Sequence, residues 1–302
     1  MGENRLPFLG GLRRLNLIIA MKHKVFIWVF MIMSLGLGAQ EAIVFKTRYL
    51  PNTTYEVEFG VRSKFYMDFE GDEAFMKALK SKGVELPMVG ESSILALSEM
   101  ETKSQEGNSL PFVTTYKKVE KSQSIGEVRE DRVRDALEGM RFYGSLENGN
   151  EMRVDSIQNS RLDEATKQFL KTYIEELTQK INFPDQPLKI GEAFEQNVPM
   201  AIPLGGMGTL SFVINIKYTL KSVKGTIAFF DIKTDFILNS DLPDLTLESN
   251  NGHGSGVLEY DIVNHFTRSH TSNYTFELTV RKADFKVRVK AESESVQKMK
   301  LK

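Results

Sequence analysis

The chain has 302 residues, with 39 Lys+Arg against 40 Asp+Glu; that balance speaks against a nucleic-acid binder, which carries a basic excess. It contains no cysteine, which excludes disulfides, thiolate metal sites, a cysteine nucleophile and a lipid-modified N-terminal cysteine. A hydrophobic content of 41% suffices for a packed core and excludes a wholly disordered chain.

Residues 21–40 read MKHKVFIWVFMIMSLGLGAQ. Lys22 and Lys24 form a short basic region, Val25–Leu37 is an apolar run, and Gly38-Ala39 offers small residues to a signal peptidase. The run is shorter than the ~20 apolar residues a spanning helix needs, so a cleaved leader is expected rather than an uncleaved anchor. Residues 1–20 precede an already complete leader, which makes Met21 a natural start; the alternative is a long n-region carrying Arg13 and Arg14. Cleavage after Ala39 removes the only tryptophan, Trp28. The expected organisation is a signal peptide over 1–39 and a single α+β domain over 40–302, or two lobes divided near 183–191. The localisation that follows is periplasm or cell exterior, with no membrane span after processing.

Thr54–Phe69 is the clearest strand. Tyr55, Val57, Phe59, Val61, Phe65, Met67 and Phe69 fall on odd positions, with charged residues between them. A period of two means one buried and one wet face. A strand this long is expected to bend, with Gly60 the natural place. Asp72–Lys82 reads as a short helix capped by Asp72 and ended at Gly83. Ile94–Met100 and Pro111–Val119 read as strands around a Glu106-Gly107-Asn108 turn. Glu127–Glu138 reads as a charged helix or exposed loop. Arg141–Leu146 and Glu151–Ile157 form a hairpin pattern around Asn148-Gly149.

Arg161–Ile181 reads as a long amphipathic helix. Ser160 and Asp163 make a capping-box start, and Leu162, Ala165, Phe169, Tyr173, Leu177 and Ile181 paint one stripe. From Gly191 the pattern is strand throughout, broken by an Asn239–Gly254 loop and fraying toward Lys302. Leu210–Leu220 and Ala228–Leu238 both carry apolar residues on even positions. That parity calls for a three-residue Val223-Lys224-Gly225 loop, pairing Tyr218 with Phe230 and Phe212 with Phe236. The fold class expected is α+β, a curved antiparallel sheet of hairpins packed against the long helix.

No catalytic constellation is visible. Ser255 stands one place too late for a nucleophile elbow and precedes a strand. Gly205-Gly206-Met207-Gly208 also leads into a strand, unlike a phosphate loop. His265 and His270, five apart, face opposite ways on a continuous strand, so a metal site is not expected. Lys286, Arg288 and Lys290 form a basic row that suits an edge strand. No cofactor is called for, and the chain reads as non-enzymatic.

The inward aromatic faces allow two readings, an ordinary full core or a curved sheet that leaves an apolar cavity. For the second, the candidate ligand-binding residues are Tyr260, Arg268, His270, Tyr218 and Phe230. Read backwards from Tyr274, the even positions Ser272, His270 and Arg268 turn the inward face polar, as at a cavity mouth. A bulge near Ser272 would turn them outward instead. The implied partner is a lipid or apolar small molecule, or an envelope protein; the alternative is a structural or interaction module with a filled core.

The leader ending in Gly38-Ala39-Gln40, the Phe183-Pro184-Asp185-Gln186-Pro187-Leu188-Lys189-Ile190-Gly191-Glu192 segment after a helix, and the terminal hairpins resemble an uncharacterised family of exported Gram-negative envelope proteins. The layout is also similar to the curved half-barrels of periplasmic lipoprotein carriers. The resemblance implies an exported envelope protein, and it transfers no catalytic residue; the half-barrel likeness is one of fold alone.

Overall fold

The computed structural model describes residues 42–302, except 82, 84, 127, 135–136, 148–150, 178–180, 204–208, 239–244 and 283–284. The leader segment over 1–39 lies outside the described residues, as do the Asn148-Gly149 turn and Gly205–Gly208. Residues 43–302 form one unit.

That unit is almost wholly β, which overturns the α+β expectation. Its strands are β1 (Thr54–Gly71), β2 (Met88–Thr102), β3 (Ser109–Ile125), β4 (Val128–Arg134), β5 (Arg141–Glu147), β6 (Glu151–Gln158), β7 (Ala193–Pro203), β8 (Thr209–Lys224), β9 (Ile227–Leu238), β10 (Leu245–Asp261), β11 (Phe266–Lys282) and β12 (Phe285–Leu301). They make one 12-stranded sheet in the order β6-β5-β3-β2-β1-β12-β11-β10-β9-β8-β7, with β4 attached to β3. All pairings are antiparallel. The chain starts in the middle of the sheet, meanders out to β6, crosses to β7 at the opposite edge, and meanders back.

The two helices are α1 (Glu73–Ser81) and α2 (Glu164–Leu177). The α1 start is as expected: Asp72 Oδ1 accepts the Phe75 N–H at 2.7 Å. The long helix is not found. α2 has 14 residues and is capped by Asp163, whose Oδ1 accepts the Thr166 N–H at 2.7 Å. Its buried side passes through Leu162, Leu170 and Ile174, while Ala165 is exposed. Of the expected stripe, Leu162 and Ile181 pack against core clusters outside the helix, and α2 is shorter than the expected Arg161–Ile181. The segment 127–138, expected as helix or loop, supplies β4, where ladder pairing to β3 overrides its charged composition. Asn250–Gly254, expected as loop, belongs to β10.

The C-terminus does not fray. β12 pairs with β1 from Gly71↔Phe285 to Tyr55↔Leu301 without a shift, and Gly60 produces no bulge. β12 is a central strand, so its basic row is not edge protection. Lys286 lies 3.1 Å from Glu248, Arg288 3.8 Å from Glu70 and Lys290 3.2 Å from Glu277. The row is one side of a cross-strand ion-pair ladder, and each such half-exposed pair is worth less than ~1 kcal/mol.

The β8–β9 hairpin keeps the expected even-with-even parity but shifts by two residues. Tyr218 pairs with Ile232, Ile214 with Phe236 and Phe212 with Leu238. The loop is the two-residue Gly225-Thr226 turn, with Gly225 at φ 59°, a left-handed conformation free of steric cost for glycine. A bulge between Leu220 and Ser222 leaves Lys221 as the extra residue. Turn and bulge together give the parity that a three-residue loop would also have given.

One face of the sheet is apolar and the other charged. On the apolar face, Phe212 of β8 meets Phe276 of β11 at 5.6 Å between ring centroids, although β9 and β10 lie between them in the sheet. The sheet therefore rolls at β10. Gly252, Gly254 and Gly256 line the inside of the roll, and a Cβ on Gly256 would lie 2.2 Å from the Thr271 carbonyl oxygen. Glycine is required there because the neighbouring backbone fills the space a side chain would occupy.

Candidate functional site

The apolar face is covered at both ends of its strands and open between them. At one end, the N-terminal segment and the β6–β7 crossover lie across it. Phe45 packs on Phe230 and Tyr260, Tyr49 on Tyr55, and Phe183 on Phe194 and Tyr260. An antiparallel bridge between Ile43 and Leu188 ties the two segments together. At the other end, Phe75 and Leu79 of α1 cover Phe69, Val280 and Val287.

Register defines what lies between. Directly paired residues share a face, so the sheet can be read as rows across the strands. One row runs Val119, Ala96, Phe59, Gln297, His270, Leu258; the next runs Lys121, Ile94, Val61, Ser295, Ser272, Gly256. A third holds Ser92, Ser63, Ser293 and Tyr274. Phe59 and Ile94 are each 40% exposed, and Val61, Gln297, His270, Ser272 and Ser295 are half-buried. The result is an open trough whose floor is apolar along β1 and β2 and polar along β12 and β11. Its hydroxyls are held in pairs: Ser63 and Ser293 at 2.9 Å, Ser272 and Ser295 at 2.8 Å.

The candidate residues read from the sequence do not converge on this trough. Tyr218, Phe230 and Tyr260 are buried to 3%, 0% and 0% in one aromatic cluster under Phe45 and Phe183. The Tyr260 hydroxyl donates to the Lys46 carbonyl, and burial raises its pKa; burial alone pushes Tyr218 up to about 12. Arg268 is the extra residue of a bulge where Glu259 pairs Ser269 and Tyr260 pairs Thr267, and it is exposed. This bulge lies before His270, not near Ser272, so His270 and Ser272 stay on the trough face. Leu258, rather than Tyr260, faces His270 across the strands. Burial lowers the His270 pKa, so the ring is neutral at pH 7.

Phe59, Val61, Ile94, Ser63, Ser293, Ser295 and Gln297 were missed as site residues. A signal existed: Ser63 interrupts the odd apolar run of β1, and Ser293, Ser295 and Gln297 interrupt that of β12. Their meaning depends on β1 pairing β12, which no local pattern announces. A depression of about 450 Å³ crosses the same rows. Its wall takes in the Val61 row itself (Val61, Ile94, Lys121, Ser272 and Ser295) together with neighbours such as Arg62, Glu120, Asn273 and Glu294. Among the described residues, no group of three His, Cys, Asp or Glu could hold a metal ion, and no helix is long and apolar enough to cross a membrane.

No family matches this chain, and no curated protein matches it. Solved structures similar to it include a lipovitellin determined for its lipid–protein interactions, at 12% identity and TM-score 0.37, covering 84% of this chain and 25% of that one. OpdH of Pseudomonas aeruginosa is 7% identical with TM-score 0.27, covering 82% of this chain and 98% of that one. The outer membrane protein OprG of Pseudomonas aeruginosa is 7% identical with TM-score 0.20, covering 86% and 99%. The chain thus spans about a quarter of the length of the lipovitellin it matches. The face opposite the apolar one carries ion pairs such as Glu56–Lys300 at 2.7 Å and Lys64–Glu91 at 3.0 Å.

Proposed function

We propose that this protein is an exported, non-enzymatic binding protein whose mid-sheet trough takes an apolar or lipid-like ligand or an apolar segment of an envelope partner. The carrying observation is the open stretch of a sheet face that is otherwise sealed at both ends. Phe59 and Ile94 present large apolar side chains to solvent in adjacent rows, beside half-buried Val61, and clustered exposed apolar side chains mark a binding site. Export rests on the Lys22–Ala39 pattern, and protein isolated from the envelope should have lost residues 1–39. Organic extraction and native mass spectrometry of purified protein test the ligand: a stoichiometric apolar molecule is expected. Empty extracts, together with no protection of Phe59 or Ile94 by any added lipid, would remove this reading.

A second reading is an interaction module with a filled core. The solid packing of Tyr218, Phe230 and Tyr260 favours it, since that cluster leaves no room for a ligand where one was first expected.

A further inference from the structure

Resting on that reading, we infer that the trough is built for a compact anionic amphiphile hydroxylated along one edge, of the kind exemplified by a polycyclic carboxylic acid such as cholate. Three features carry this. The first is the way polarity is divided. Across the rows through Phe59 and Val61, the β2–β1 side presents Ala96, Ile94, Phe59 and Val61, whereas the β12–β11 side presents Gln297, Ser295, His270 and Ser272. The boundary runs along the strands. A ligand lying across those two rows thus meets apolar surface on one flank and hydrogen-bonding groups on the other; in the third row Ser92 and Ser63 put hydroxyls on the β2–β1 side as well. A straight alkyl chain cannot use the polar flank.

The second feature is size. The three rows and four strands involved measure about 14 Å each way at ~3.4 Å per residue and ~4.8 Å per strand. The N-terminal segment at Tyr55 and α1 at Phe69 bound the trough along the strands, which suits a compact skeleton better than a long acyl chain. Each serine of the Ser272–Ser295 pair retains hydrogen-bonding capacity after satisfying its partner, so a ligand hydroxyl can join the pair without breaking it.

The third feature is charge. From β3 to β10 the rows through Phe59, Val61 and Ser63 hold no Asp or Glu. Lys121, exposed at the β3 end of the Val61 row, is their one permanent cation; by register an acid first enters at Glu130 of β4, paired with Gln123. An ammonium at the rim of an apolar floor suits a carboxylate.

Isothermal titration with sodium cholate and with sodium laurate, both below their micelle concentrations, tests the inference. Wild-type protein should bind cholate more tightly than laurate. The double variant Ser272→Val/Ser295→Val should weaken cholate about tenfold, as loss of a hydrogen-bonded contact predicts, and leave laurate unchanged. Lys121→Met should weaken both. Thermal melting controls for folding, and Ser272→Ala/Ser295→Ala replaces the valine pair if that pair destabilises the sheet. Laurate bound as tightly as cholate, or cholate binding indifferent to the serines, overturns the inference and leaves the broader apolar-ligand reading standing. Failure of both probes together with empty extracts removes both.

Discussion

At the scale of single residues, the same face supports opposite roles within a few ångströms. Tyr260 is fully buried and spends its hydroxyl on the Lys46 carbonyl. Tyr260→Phe should therefore cost about 1 kcal/mol in denaturant unfolding, the net worth of one such bond. Phe230→Ala, emptying a 0%-exposed site between Phe45 and Phe183, should cost ~3–5 kcal/mol. His270 behaves differently because it is only partly covered. Its folded pKa lies below the ordinary 6.5. As pH falls through that value, the unfolded chain takes up the proton first, so stability declines until the folded pKa is reached. Thermal melts between neutral and mildly acidic pH should show this decline, and His270→Gln should flatten it. These burial differences were only half legible in the sequence. Parity placed Tyr218, Phe230 and Tyr260 on the inward face and left His270 open between inward and outward, and parity does not tell a covered stretch of that face from an open one. That depends on which remote segments lie across it.

Among elements, strands were read more faithfully than helices. A period of two survives any register, so Thr54–Phe69 and the even-position strands from Leu210 onward were recognisable. The two-residue shift in β8–β9 arose because a bulge at Lys221 and the Gly225-Thr226 turn compensate each other, and a sequence records only their sum. The helix was over-read in length: α2 covers Glu164–Leu177 and packs by Leu170 and Ile174. The pairing of β1 and β12 makes its own prediction. Glu99 of β2 accepts both Lys117 and Lys302, at 2.7 Å and 2.5 Å, and these hydrogen bonds hold its carboxyl down to about 2. Its contribution is present above the ordinary 4.5 and is lost as pH falls toward that depressed value. Carboxylate titration by NMR should find it there, and Lys117→Met with Lys302→Met should return it toward 4.5. Gly256→Ala tests the roll at β10: the added Cβ would meet the Thr271 carbonyl oxygen, so the substitution should destabilise well beyond the ordinary scale of a surface change, ~0.5 kcal/mol.

For the molecule as a whole, the joining of first and last strands has a consequence in time. While the chain is being made, β1 can acquire β2 on one side, but its other edge has no partner until β12 exists. Neither meander can close on itself, because the centre of the sheet is a seam between the two ends of the sequence. Contacts of such separation are slow to form, and an unpaired central edge is a template for mispairing until it is filled. A chain lacking 285–302 should therefore show weak near-ultraviolet dichroism and a strong tendency to associate, and an added peptide of that sequence should restore cooperative melting. Assembly then acts as a length check: β12 locks the sheet, and a chain cut short before it presents an open edge to whatever machinery disposes of unfinished proteins.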